Sequence, residues 1–119
     1  VSQLKAAGKE VYFILDNPFG EEIDPHSMFE RSWSGFNIKT PEKLSLNVAL
    51  ERSEPVRNHI LKVADATNSK IIDPLLDLCK TGTCDAFSEE GELIYKDYDH
   101  FSLWASKNKI NYLNFIFEK

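Results

Sequence analysis

Near the end of the chain, three side chains could do proton chemistry together. The stretch YKDYDHFSLWAS, residues 95–106, places Asp97 and Asp99 just ahead of His100. Asp97 and His100 stand three apart, a spacing that lets two side chains meet across the start of a helix. Asp99 is adjacent to His100, and adjacent side chains in a regular element point apart. A carboxylate bonded to one imidazole nitrogen fixes the tautomer and stabilises the imidazolium, which frees the other nitrogen as a general base. Asp97 is therefore the expected orienting group, and Asp99 is expected to cap the helix that follows. The competing expectation is a plain polar turn, in which Asp97 serves backbone amides and His100 points into solvent or core.

A general base needs a nucleophile. Ser32 and Ser34 flank Trp33 in RSWSGFN, but no strand–turn–helix pattern surrounds them, so neither has the setting of an activated serine. His26, two residues after Asp24, could touch a substrate from a loop, as could the flat face of Trp33. Phe19, Phe29 and Phe36 carry further aromatic faces; for all four aromatics, packing the loop onto a sheet is the expected role. His59 falls on the polar side of a helical pattern and reads as surface.

The elements that must position these residues alternate between helix and strand. Ser2–Ala7 reads as a helix tail stopped by Gly8. EVYFILDNP is an unalternating apolar run ended by Asn17-Pro18, the pattern of a strand buried on both faces in a parallel sheet. Residues 17–43 are rich in Pro, Gly, Ser and aromatics without clear period and read as a functional loop or irregular lid. Ser53 is expected to cap a helix with Pro55 in its first turn and Val56, Ile60, Val63 and Thr67 along one side. SKIIDPL gives a second buried strand, and LLDLC a helical turn. AFSEEGELIYKD reads as a hairpin turning at Gly91, and the chain from about His100 to NYLNFIF as a final helix. The alternation is the α/β signature.

Composition narrows the function classes. A length of 119 residues suits one domain. The net charge of −5 argues against nucleic acid, which needs clustered Lys and Arg to meet phosphate. No apolar run approaches the roughly 20 residues a membrane helix requires. The two cysteines, Cys79 and Cys84, enclose KTGT, and Gly82 lets the backbone double back to close a small disulfide. Two free thiols are the alternative; a lone C-x4-C is poor for zinc.

Taken in order, the strand, helix, IIDP strand, cysteine loop, hairpin and LIYKDYDHFS resemble the C-terminal half of the SGNH hydrolase superfamily, closest to the SGNH domains fused to integral-membrane O-acyltransferases of bacterial surface sugars. The last family block reads Asp-x-x-His-Leu-Ser-x-x-Gly-Ala. Asp97, His100 and Ser102 fill its Asp, His and Ser, whereas Phe101 replaces Leu and Ala105-Ser106 replaces Gly-Ala. The resemblance implies the C-terminal part of a three-layer α/β sandwich with a parallel sheet, residues 1–119 forming one partial domain. It implies that Asp97 orients His100 and that His100 activates a serine. The family's Gly-Asp-Ser and Gly-x-Asn-Asp blocks do not occur here, so the nucleophile is expected outside these residues and the chain alone is expected to be inactive. The implied partners are an acyl donor delivered by a membrane domain and a sugar acceptor, with neither metal nor bound cofactor required. The implied setting is the periplasmic, extracytoplasmic face of a bacterial inner membrane, where a Cys79–Cys84 disulfide is favoured. An esterase on the same fold, or a non-catalytic module holding a glycan or protein with its aromatic loop, are the alternatives. An exposed sheet edge would permit a homo-oligomer.

Overall fold

Two apolar runs, one far upstream of a long helix and one just after it, meet in the only parallel pairing among the described residues. A computed structural model describes residues 1–118. In chain order the elements are α1 (Ser2–Ala6), β1 (Tyr12–Ile14), β2 (Phe29–Ser32), β3 (Gly35–Ile38), β4 (Leu44–Ser45), α2 (Leu46–Ala66), β5 (Lys70–Ile72), α3 (Pro74–Leu78), β6 (Thr83–Cys84) and α4 (Leu103–Asn108), with 3-10 turns at Glu21–Ile23, Pro25–Met28 and Asn111–Ile116. β1 and β5 pair in parallel, Phe13 opposite Ile71, and the Leu15 N–H extends the pairing to the Ile72 carbonyl at 2.9 Å. This is the mixed α/β class that the sequence leads one to expect.

The long helix starts earlier than its apolar pattern suggests. Ser45, not Ser53, caps α2: its Oγ accepts the Val48 N–H at 3.2 Å. Pro55 lies inside the helix, where it withholds an N–H from the Glu51 carbonyl one turn back. Ser53 is buried and its Oγ donates to the Leu50 carbonyl at 3.1 Å, so the polar atom that resembled a cap is satisfied within the helix. Midway along the helix Arg57 forms an ion pair with Asp73, joining α2 to the residue after β5.

Within residues 17–43, expected to be irregular, β2 and β3 form an antiparallel ribbon pairing Phe29 with Ile38 and Arg31 with Phe36. The ribbon's apolar side chains lie open: Phe29 is 57% exposed, Phe36 76%, Ile38 78% and Trp33 fully exposed. The expectation that these aromatics pack onto a sheet therefore fails for Phe29, Trp33 and Phe36. The described residues extend 64 × 30 × 24 Å with a radius of gyration of 17.3 Å, against roughly 13.5 Å for a compact chain of this length. Such an elongated shape leaves apolar surface uncovered.

The core gathers Ile23, Met28, Leu44, Ala49, Leu75, Ala105 and Tyr95 around the Cys79–Cys84 disulfide, both cysteines being buried. β6 pairs with β4, setting Cys84 opposite Leu44, so the disulfide ties the end of α3 to the strand paired with the one that launches α2. The Gly91 hairpin is present in minimal form, with one bridge between Phe87 and Leu93 and an Ile94 N–H bond to the Ala86 carbonyl at 2.9 Å. The expected final helix is split. Asn108 Nδ2 donates to the Trp104 carbonyl at 2.8 Å, a side-chain competitor that ends α4, and the chain resumes as a 3-10 turn. Among the described residues no helix is long and apolar enough to cross a membrane.

Candidate active site

Tyr95 is the platform. It is 1% exposed, burial pushes its hydroxyl pKa up, and its ring stacks on Phe101 with centroids 5.5 Å apart. Tyr95 and Phe101 also bridge as an antiparallel pair, and the Lys96 N–H donates to the His100 carbonyl at 2.8 Å. Residues 96–100 are thereby pinched into a tight loop standing on the core.

Inside that loop Asp97 does two jobs. Its Oδ1 accepts the backbone N–H of Asp99 at 3.2 Å and of His100 at 2.9 Å, and lies 2.9 Å from His100 Nδ1. The orienting contact and the turn-forming contacts, set against each other as readings of the sequence, coexist. Desolvation would raise the Asp97 carboxyl, but the His100 and Asp99 amides and the His100 ring outweigh it and hold the carboxyl well below its ordinary 3.8. An ionised carboxylate only accepts hydrogen bonds, so the proton of this contact sits on Nδ1. Nε2 is left with its lone pair, makes no hydrogen bond among the described residues, and belongs to a side chain 68% exposed. That is the tautomer a general base requires.

Asp99 departs from expectation. Its Oδ1 lies 2.7 Å from His100 Nδ1, yet the approach is not aligned as a hydrogen bond and that shielded oxygen has no hydrogen-bond partner among the described residues. Asp99 therefore sets a carboxyl group beside the ring and does not cap the helix. The cap of α4 is Ser102, whose Oγ accepts the Ala105 N–H at 3.0 Å and donates to the Leu93 carbonyl at 2.5 Å. Asp97, Asp99 and His100 could each bring one ligand atom within 4.8 Å of the others; the contacts present within the set are the hydrogen bonds to Asp97.

The loop beyond the carboxyl end of β1 meets this segment directly. The Gly20 N–H donates to the Tyr98 carbonyl at 2.9 Å. Gly20 takes φ 151°, a backbone that disfavours side chains, and a Cβ there would collide with the Arg52 guanidinium and the Glu22 carboxylate. Arg52, from α2, grips Glu22 bidentately at 2.8 and 2.6 Å and reaches the Phe19 carbonyl at 3.3 Å. The hydrogen bond from Arg52 lowers the Glu22 carboxyl pKa, with burial opposing. A cleft of about 490 Å³ opens among Phe19, Gly20, Glu22, Arg52 and Tyr98.

Residues 1–109 match the family described as SGNH domain (fused to AT3 domains). The chain belongs to the SGNH domain family. Comparison with curated proteins and with solved structures brings no match. Membership marks a hydrolase- or acyltransferase-like domain, and both Asp97 and His100 lie inside the matched span.

The remaining sequence candidates of this SGNH domain lie elsewhere. His26 Nδ1 is 2.9 Å from Asp24 Oδ1, and the ring is 78% exposed. Trp33 occupies the tip of the β2–β3 ribbon. Neither lines the cleft. Ser32 and Ser34 bond each other at 3.2 Å on the same tip. The residues that sequence reasoning passed over are Gly20, Glu22, Arg52 and Tyr98. Only Gly20, following Asn-Pro-Phe, carried a local signal. The Arg52–Glu22 pair spans 30 residues and leaves no pattern that spacing can detect.

Proposed function

We propose that this SGNH domain supplies the Asp–His half of a Ser–His–Asp acyl-transfer site, with Asp97 orienting His100 and His100 Nε2 acting as the base. The observation that carries this reading is the 2.9 Å contact between Asp97 Oδ1 and His100 Nδ1, with the opposite nitrogen open. No Gly-Asp-Ser block occurs in the sequence, so the serine is contributed by polypeptide outside these residues. His100 takes the serine proton as Oγ attacks the acyl carbonyl; the C–O bond forms, the donor's bond to the acyl carbon breaks, and the imidazolium returns the proton to the departing group. In the second half His100 deprotonates a sugar hydroxyl, which attacks the acyl-serine and releases the serine with its proton restored. The donor is delivered by a fused membrane domain, and the reaction takes place at the extracytoplasmic, periplasmic face of a bacterial inner membrane, where the Cys79–Cys84 disulfide is stable.

In the polypeptide that joins these residues to the serine, His100→Ala should lower acyl transfer by about 10³-fold or more, measured as acyl group appearing on the polysaccharide. Full transfer by that variant contradicts the proposal. A second reading, a non-catalytic module that grips a glycan or protein, is favoured by one observation, the fully exposed Trp33 on the aromatic ribbon. A Trp33→Ala change that abolishes recognition while His100→Ala has no effect would establish it instead.

A further inference from the structure

The β2–β3 ribbon is built like half of a sandwich. Side chains alternate along a strand, and the register sets Phe29 opposite Ile38 and Arg31 opposite Phe36. Phe29, Arg31, Phe36 and Ile38 therefore share one face, and Glu30, Ser32 and Asn37 the other. The Lys39–Glu30 ion pair at 3.2 Å belongs to that second face. One face is apolar apart from Arg31 and the other polar, the pattern of strands that pack on a neighbour. Here the apolar face lies open, with Trp33 exposed at the tip beside it. A two-stranded ribbon alone is marginally stable in water, and covering its apolar face stabilises it.

We propose that this face is covered by the same face of a second copy of the chain, packed on it about a two-fold axis. The exposed parts of Phe29, Trp33, Phe36 and Ile38 amount to roughly 600 Å² per protomer, taking about 150–250 Å² for each buried aromatic side chain. A pair then buries about 1,200 Å², the lower end of specific interfaces, which makes a weak, reversible dimer. The face carries no acidic group, and its one cation is a guanidinium, which packs flat on an aromatic ring of the other copy. A lipid surface fits less well. The Lys39 N–H donates to the Met28 carbonyl at 2.8 Å, which sets the phase of the ladder and turns the N–H and C=O groups of Phe36 and Ile38 outward. Those groups have no backbone partner among the described residues. Water reaches them at the edge of a face-to-face dimer, whereas hydrocarbon leaves them unpaired. The net charge of −5 also opposes an anionic membrane.

The test is sedimentation velocity of the 119-residue chain from about 1 μM to about 1 mM, the span in which a weak interface forms. At the dilute end the monomer prevails and the ribbon stays open. The expected result is a monomer–dimer equilibrium, with the amides of residues 29–38 shifting in NMR spectra as the dimer fills. Phe36→Ser and Ile38→Ser should each weaken association by about tenfold or more. Both positions are exposed, and an unchanged amide shift at buried Tyr95 shows that each variant is folded. A chain that stays monomeric throughout, or a dimer that both variants leave intact, overturns the proposal. So do ribbon amides that respond to phosphatidylcholine vesicles and not to protein concentration. Self-association needs neither His100 nor a nucleophile, so its failure and the failure of the acyl-transfer reading are separate outcomes.

Discussion

Two histidines in this chain each have an upstream carboxylate 2.9 Å from Nδ1, His100 with Asp97 and His26 with Asp24, yet they stand in different surroundings. Asp24 caps a 3-10 turn that leads into a ribbon with free aromatic faces. Asp97 closes a loop that stands on buried Tyr95, is pinned at both ends by Phe101 and His100, and touches the loop leaving β1 through Gly20. An Asp–His contact is therefore easily made, and its footing in the fold decides what it can do. What distinguishes the second pair is its footing, a loop that stands on Tyr95 in the core and is closed by the Tyr95–Phe101 bridge.

The contrast breaks most visibly at the foundations. Tyr95→Ala removes the largest fully buried side chain beneath the Asp97 loop and should destabilise the protein by about 3–5 kcal/mol. Trp33→Ala, at the exposed ribbon tip, should change stability by no more than about 0.5 kcal/mol. Urea unfolding of the two variants measures both, and similar losses would erase the distinction drawn between the regions.

A smaller effect, common to both regions, comes from the disulfide. Cys79 and Cys84 close a short loop between α3 and β6, worth about 2 kcal/mol on the chain-entropy account. Thermal melts with and without reductant should differ accordingly, and identical melts would show that the bond constrains little.

The smallest effect is on pH dependence. Because the Asp97 carboxyl is held below its ordinary 3.8, its hydrogen bonds favour the folded loop above that value and are lost as pH falls through the lowered folded value. A carboxyl titration by NMR should give Asp97 a midpoint under 3.8, with the Asp99 and His100 amides following it. A midpoint at or above 3.8 contradicts the assignment of those hydrogen bonds.

Local chemistry was readable from the sequence and distant chemistry was not. The Asp97–His100 contact spans three residues, and the disulfide spans five, so spacing alone brings the partners within reach. The parallel strands announce themselves as the unalternating apolar runs YFIL and II, although the expected burial on both faces fails at Ile14, which is half exposed. Ser53 misled because Ser-x-Pro resembles a helix start, and a proline inside a helix is tolerated only when packing around it compensates. Ser102 was readable as a residue of the family block, yet its capping role depends on α4 starting at Leu103. The Gly20–Tyr98 bond and the Arg52–Glu22 grip depend on how α2 lies across the loop, which only the folded chain decides.

The account turns on which nitrogen of His100 carries the proton. Long-range proton–nitrogen NMR at a pH where the ring is neutral reads this directly on the chain as it stands. The predicted result is a protonated Nδ1 and a bare Nε2 for His100, with Asp97→Asn shifting the ring toward a mixture of tautomers. A neutral ring protonated chiefly at Nε2, unchanged by Asp97→Asn, would contradict the claim that Asp97 orients His100 as a base.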